Sequence, residues 1–171
     1  RNLVKPSAPG LLEGYQRRKP SVDMAQRAAH GEGLIALTGC LASRFCRHLA
    51  DDRPADARAH VQELMDAVGS DNVYFEVQKN GIAVQDKCNE QIVRIAGEMG
   101  RPLVGTGDVH YLRREDYHHH ATLLCGQTKS MLPAPKMSFD TNEVYLTEMQ
   151  EMADTFAEWP GERASTRGRR G

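Results

Sequence analysis

The fold class is indicated by residues 73–105, which read VYFEVQKNGIAVQDKCNEQIVRIAGEMGRPLVG. The first five residues of this stretch are rich in β-branched and aromatic side chains, which favour a strand. Residues 84–99 follow with apolar side chains at helical spacing, and Gly100 and Pro102 stand where a helix should end. The last three residues predict another short strand. Strand, helix and strand in this order are typical of a parallel α/β structure.

The same alternation extends to both sides of this unit. Upstream, apolar periodicity and glycines predict three helices and one buried strand, namely helices at 23–30, 41–49 and 54–68 and a strand at 34–38. Downstream, the pattern predicts a helix at 114–124, a loop at 126–142, a strand at 144–146 and a final helix with a capping box formed by Thr147 and Gln150. The whole chain therefore reads as parallel strands alternating with helices.

Composition indicates a globular body with an unstructured end. The chain has 171 residues, of which 40% are hydrophobic and 26% charged, close to globular averages. Folded as one unit, it could bury roughly 70% of its surface, which is enough for a sizeable core. After Pro160 no residue larger than Ala could enter a core, so residues 161–171 are predicted to be a disordered tail rich in Arg and Gly.

Charge and cysteine content exclude several classes of protein. The net charge is -1, whereas a free-standing nucleic-acid binder usually carries a basic face. The sequence lacks a run of about 18 apolar residues that could span a membrane. The four cysteines form no C-x-x-C pair, which argues against a zinc finger or a redox motif. Reduced thiols in a cytosolic protein are the simplest interpretation.

Asp108 and His110 form a D-x-H pair directly after the last strand of the unit. In an extended backbone, residues two apart point the same way, so a carboxylate and an imidazole would converge. Divalent metals bind such oxygen and nitrogen ligands, and the pair therefore predicts a metal site. The alternative is that Asp108 caps the helix beginning near Arg114 and that the histidine is unrelated.

Three further features each allow two interpretations. Cys40 follows a strand and a glycine, where it is either a zinc ligand or a small buried hydrophobe. Glu76 faces either the interior or the solvent side of its strand. The run His118 to His120 resembles a metal tract, but neighbouring helical residues point in different directions. We therefore expect a solvated helix face with one histidine packed inward, and the sequence assigns no catalytic residue.

Four segments of the chain can be compared together with known families, namely GLIALTGCL at 33–41, VYFEVQKNG at 73–81, PLVGTGDVHYL at 102–112 and HATLLCGQT at 120–128. Together they resemble one family, the bacterial replicative DNA polymerase III alpha subunits in their N-terminal PHP (polymerase and histidinol phosphatase) domain. The similarity runs from about residue 2 to residue 160. Its order and spacing make it more specific than any one motif.

The resemblance implies a fold and a set of metal ligands. It implies a partial, distorted (β/α)7 barrel with metals at the carboxyl ends of the strands, Zn or Mn being the expected ions. Cys40, Asp108 and His110 match ligand positions of the family, whereas Glu76 matches none clearly. The Cys40 sulfur is then expected within roughly 4–6 Å of Asp108 or His110. Residues 1–160 correspond to the second half of a PHP domain running into the start of the following polymerase region.

The sequence departs from the family at both ends. The first ligand motif of the family, an H-x-H, lies upstream of the similarity and is absent here. After Pro160 the family continues into the polymerase, whereas residues 161–171 turn to Arg and Gly. These departures favour a truncated or frameshifted fragment that would be inactive alone.

The resemblance also implies the function of the intact protein. It implies a DNA-directed DNA polymerase, a cytoplasmic nucleotidyltransferase of DNA replication, whose PHP domain could act as a metal-dependent 3′–5′ exonuclease. Mg would serve the polymerase site outside this chain. The implied partners are DNA, the sliding clamp, the clamp loader and the proofreading exonuclease, with no membrane. Two alternatives stay open, a stand-alone PHP phosphoesterase acting on small phosphate esters and a non-catalytic scaffold.

Overall fold

The computed structural model describes residues 22–159, together with Lys5, Leu12, Tyr15, Gln16, Lys19 and Pro20. The predictions for residues 161–171 lie outside the described residues. The chain divides into two compact units, Arg1–Glu76 with Val93–Pro102 and Val77–Ile92 with Leu103–Gly171. Each unit is described by itself below.

Helices and strands alternate along the described chain. The strands are β1 Tyr15–Gln16, β2 Lys19–Pro20, β3 Ala36–Leu37, β4 Val73–Val77 and β5 Leu103–Gly105. The helices are α1 Met24–Ala29, α2 Arg44–Ala50, α3 Pro54–Val68, α4 Ala83–Glu98, α5 Tyr117–Thr128 and α6 Met149–Thr155. Short 3-10 turns lie at Ser70–Asn72 and Arg114–Asp116. In this described part, no helix is long and apolar enough to cross a membrane.

The strands confirm the mixed α/β class with a parallel sheet. The central sheet has the order β3-β4-β5. β3 and β4 are parallel, with Ala36 opposite Val73 and Leu37 opposite Tyr74. β1 and β2 form a separate antiparallel pair. Strands β4 and β5 occupy the residues that the sequence predicts for them.

The core of the first unit is built on α3. The apolar periodicity that predicts this helix is reflected in its packing, because side chains on one face are buried, namely Ala57, Val61, Leu64 and Met65, whereas Val68 at its end is only partly buried. Phe45 and Phe75 are also fully buried in this unit, and they pack edge to face with ring centroids 5.6 Å apart. Gly31 allows a close approach of the chain after α1 to α3, since a Cβ there would lie 2.1 Å from the carbonyl oxygen of Ala67. Only glycine fits that position.

The core of the second unit combines apolar and polar side chains. Its buried apolar residues lie at the end of β4, on α4 and α5, in the segment before α6 and directly after α6, namely Val77, Cys88, Ile92, Leu124, Cys125, Val144 and Phe156. Four amide side chains are buried as well, and three of them lie at the end of β4 or on the first turns of α4.

Two predicted elements near the amino-terminal side differ from expectation. The predicted strand at 34–38 is only two residues long, and it is not buried, because Ile35 is 68% exposed and Leu37 is 42% exposed. Thr38, the last residue of the predicted segment, is buried at 3% exposure, so only the end of the segment enters the core. The helix predicted at 41–49 begins later, at Arg44, because the Ser43 side chain accepts a hydrogen bond from the backbone of Cys46 and so starts the helix.

Two predictions near the other end are wrong. Residues 144–146 do not form a strand, since the described residues show only a single parallel bridge between Tyr111 and Tyr145. The capping box of Thr147 and Gln150 is also absent from the described structure, where Glu148 precedes the first turn of α6. α5 ends at Thr128, so it takes up the first residues of the loop predicted at 126–142.

Candidate metal centre

The D-x-H pair lies in the loop after β5, in the second unit. Asp108 adopts a left-handed backbone conformation with a φ of 49°. The pair is therefore not extended, and the argument from strand alternation is wrong at this point. Asp can occupy this conformation because its short polar side chain carries a smaller penalty than a bulky one. The turn at Asp108, not a strand, sets the direction of both side chains.

His110 is oriented by the backbone of Asp108. Its Nδ1 lies 2.6 Å from the Asp108 carbonyl oxygen. Because a carbonyl oxygen only accepts hydrogen bonds, Nδ1 must carry the proton. In the neutral imidazole the lone pair is then on Nε2. Histidines that bind metals commonly make this hydrogen bond, which fixes the ring and leaves the other nitrogen for the metal.

The alternative role for Asp108, as a helix cap, is wrong. The backbone N–H of Arg113 donates to the Asp116 carboxylate at 3.0 Å. Asp116 thus caps the 3-10 turn Arg114–Asp116, and α5 follows directly. Asp108 is left outside this helix start.

Two aromatic rings pack against His110. Its ring centroid lies 4.6 Å from that of Phe139 and 5.5 Å from that of His120. Burial, and secondly the neighbouring charge of His110, lower the pKa of His120. His118 and His119 are exposed on α5, so the prediction of one inward histidine in this run is confirmed. No local sequence pattern connects His120 with the site, although His120 opens one of the segments that carry the family resemblance.

The first unit carries the other candidate ligand, Cys40, just after β3. Cys40 is partly exposed, whereas the other three cysteines are buried. Nearby, Glu76 on β4 is only 9% exposed, so its interpretation as a solvent-facing residue is wrong. The Glu76 carboxylate accepts a hydrogen bond of 3.1 Å from the backbone N–H of Gly39. Its own N–H donates to the Thr38 hydroxyl at 2.9 Å, so Glu76 ties the end of β3 to β4.

The donor chemistry of the pair suits a divalent cation. The Asp108 carboxylate and the free Nε2 of His110 are the oxygen and nitrogen ligands that Zn and Mn accept, and a Cys40 thiolate would add the sulfur that favours Zn. Among the residues that the structure describes, no group of three or more His, Cys, Asp or Glu side chains is arranged to hold a metal ion. Cys40 belongs to the first unit and the pair to the second, so their convergence stays a prediction.

The chain is similar to known proteins over most of its length. A family model for the PHP domain matches residues 1–80, which include Cys40 but not Asp108 or His110. The DNA polymerase III subunit alpha of Treponema pallidum is 37% identical over 94% of this chain and 14% of its own length. The subunit of Thermus aquaticus is 35% identical over 94% of this chain and 13% of its own length. That of Deinococcus radiodurans is 36% identical over 92% of this chain. The chain thus spans about one seventh of the length of these relatives.

Proposed function

We propose that this chain is part of a replicative DNA polymerase and that it carries part of a PHP metal site. The chain is a homologue of a segment of the DNA polymerase III alpha subunit, and its residues 1–80 match the PHP domain. The observation that carries this proposal is 37% identity over 94% of the chain to a protein of that name. Identity at that level over a continuous stretch makes a common fold the simplest explanation. A stand-alone phosphoesterase would not account for it.

The fold proposal goes one step beyond the described sheet. The parallel strands β3, β4 and β5 form part of a distorted (β/α)7 barrel, with residues 1–160 as the second half of a PHP domain that runs into the next polymerase region. The strand order supports this, since consecutive parallel strands joined by helices are the repeating unit of such a barrel.

The metal site is proposed at the carboxyl ends of these strands. Asp108 and His110 are its ligands in the second unit, and Cys40 is its ligand in the first. In parallel α/β folds functional side chains gather at such strand ends. A Zn or Mn ion held there would generate a nucleophilic water for phosphodiester hydrolysis, which is the chemistry of a 3′–5′ exonuclease. The described residues supply no group that we assign as catalytic.

The activity of the whole polymerase is proposed for the intact protein only. DNA synthesis with Mg, binding of DNA, and contacts with the sliding clamp, the clamp loader and the proofreading exonuclease would reside in parts that correspond to the rest of the relatives. A cytoplasmic location follows from the same proposal. The 171 residues alone are expected to be inactive as a polymerase.

Cobalt binding by the full 171-residue chain tests the metal site. Co²⁺ absorbs visible light when it is bound by nitrogen and sulfur ligands, so a titration reports both affinity and ligand type. We expect His110→Ala to weaken binding at least tenfold and Cys40→Ser to remove the absorption of the thiolate–cobalt bond. His119→Ala and Cys125→Ser are controls for the loss of a histidine and of a thiol, since neither residue belongs to the proposed site.

Two results would reject the proposed site. One is wild-type protein that binds no Co²⁺, which would favour a non-catalytic scaffold. The other is a pair of control variants that weaken binding as much as the site variants.

A further inference from the structure

A cluster of four amide side chains lies inside the second unit, and we call it the amide cluster. Each member is at most 5% exposed, the members being Gln78, Asn80, Gln85 and Asn89. A buried amide destabilises a protein unless its hydrogen bonds are satisfied. A satisfied network of this kind holds its surroundings in one arrangement. The hydrogen bonds of Asn80 identify the part of the unit that this cluster holds.

Asn80 uses every polar atom of its side chain. Its Oδ1 accepts from Gln85 Nε2 at 3.0 Å. Its Nδ2 donates to the carbonyl oxygen of Gly107 at 3.0 Å and to that of Glu143 at 2.9 Å. Both carbonyl oxygens can only accept, so the Asn80 amide must present its nitrogen to them. One NH₂ group thus joins two chain segments that are far apart in sequence.

These two segments enclose the D-x-H loop. Gly107 precedes Asp108, whose backbone is left-handed. Glu143 precedes Val144, and the carbonyl oxygen of Val144 accepts the backbone N–H of His110 at 2.8 Å. Asn80 therefore supports the loop on both sides. It bonds directly to Gly107 at the start of the loop, and it bonds to Glu143, whose neighbour Val144 bonds to His110. The left-handed turn at Asp108 lies between these two fixed points.

The geometry points to Asn80 as a positioning residue for the proposed metal ligands Asp108 and His110, acting through the backbone carbonyl groups of Gly107 and Glu143. This inference rests on the proposed metal site for its functional meaning. Asn80 itself is not a ligand of the metal, because its polar atoms are already hydrogen-bonded. Residues that orient metal ligands in this way typically change metal affinity about 10- to 100-fold when they are altered.

Asn89 provides a matched control within the same cluster. It is as buried as Asn80, and its Nδ2 donates to the Gln78 carbonyl oxygen at 2.7 Å. This bond ties α4 to the end of β4, not to the loop. Asn80→Asp and Asn89→Asp therefore make the same chemical change in the same environment, and they differ in whether the D-x-H loop loses its support.

The experiment measures the full chain of each variant in two ways. Imidazole ¹⁵N NMR of the metal-free protein reports which nitrogen of His110 carries the proton. A Co²⁺ titration reports metal affinity. We expect Asn80→Asp to replace the single Nδ1–H form of His110 by a mixture of tautomers and to weaken Co²⁺ binding about 10- to 100-fold. Asn89→Asp should leave both measurements at the wild-type values.

The two arms separate this inference from the metal proposal. If wild-type protein binds no Co²⁺ but the His110 signals still respond only to Asn80→Asp, the positioning stands and the metal site fails. Wild-type His110 signals in Asn80→Asp, or an equal response to Asn89→Asp, would overturn the positioning role. Should the Asp variants fail to fold, the neutral pair Asn80→Ser and Asn89→Ser makes the same comparison without a buried charge.

Discussion

Replacing Asp108 by Gly and by Ala tests whether its backbone is left-handed. Both substitutions remove the carboxylate, so any loss of side-chain interactions is common to the two variants. They differ in the backbone penalty, because at a φ of 49° an alanine Cβ is strained and glycine is not. We therefore expect Asp108→Gly to be the more stable variant. Both should lose the proposed metal binding.

The size of the difference follows from two opposing effects. The left-handed conformation costs a non-glycine residue roughly 1–2 kcal/mol. Glycine loses part of that advantage, about 0.4–1 kcal/mol, because its unfolded chain has more conformational freedom. We therefore expect the free energy of unfolding of Asp108→Gly to exceed that of Asp108→Ala by about 1 kcal/mol.

Urea unfolding of both variants in the presence of a chelator measures this difference. Glu90 is the control position, since it is exposed in the middle of α4. In a helix the order should reverse, with Glu90→Gly about 1 kcal/mol less stable than Glu90→Ala. The opposite signs at the two positions separate backbone strain from a general effect of glycine. An Asp108→Ala variant as stable as Asp108→Gly would refute the left-handed turn and the orientation of His110 that depends on it.

Two further predictions concern the first unit. Glu76→Gln should lower the free energy of unfolding by about 1 kcal/mol, because a neutral acceptor replaces the carboxylate that binds the Gly39 N–H. Denaturant unfolding measures this loss, with Glu90→Gln as the control variant. A Glu76→Gln variant more stable than the wild type would contradict the role of the carboxylate. Burial lowers the pKa of His60 despite its hydrogen bond to Glu63, so the folded state binds fewer protons than the unfolded state just below pH 6.5. This contribution to stability should be complete above that pH and should fall as the pH drops towards the folded pKa. His60→Gln should make the free energy of unfolding, measured at several pH values, depend less steeply on pH. An unchanged slope would reject the assignment to His60.

Local sequence signals predicted the long elements well. The bounds of β4 and β5 match the prediction, and α3 begins at Pro54 and ends before Gly69 as expected. These elements carry their own start and stop signals, since proline suits a first helical turn and glycine suits its end. The burial of β3 was mispredicted because an apolar run indicates a strand but does not say which neighbouring layer covers it.

The members of the candidate site stay a prediction from the sequence, whereas the structure supplies the local geometry of Asp108 and His110. The spacing of Asp108 and His110 indicated a candidate ligand pair, but no local sequence rule predicts a left-handed backbone at Asp108. The packing of His120 and the hydrogen bonds of Asn80 depend on residues distant in sequence, so one-dimensional patterns could not reveal them. A single sequence shows which side chains could bind a metal, whereas long-range contacts decide how they are held.

Asn80 is followed by Gly81, so the amide cluster contains a sequence that is prone to deamidation. In an unfolded chain an Asn-Gly pair deamidates readily, because the glycine nitrogen can attack the asparagine side chain, expel ammonia and leave a succinimide that opens to aspartate or isoaspartate. In the folded protein the Asn80 amide is buried and hydrogen-bonded at both ends, which holds it away from that attack. Each excursion to the unfolded state removes this protection. Ageing of the protein, with water opening the succinimide, would thus replace Asn80 by aspartate or isoaspartate, neither of which carries the bridging NH₂ group.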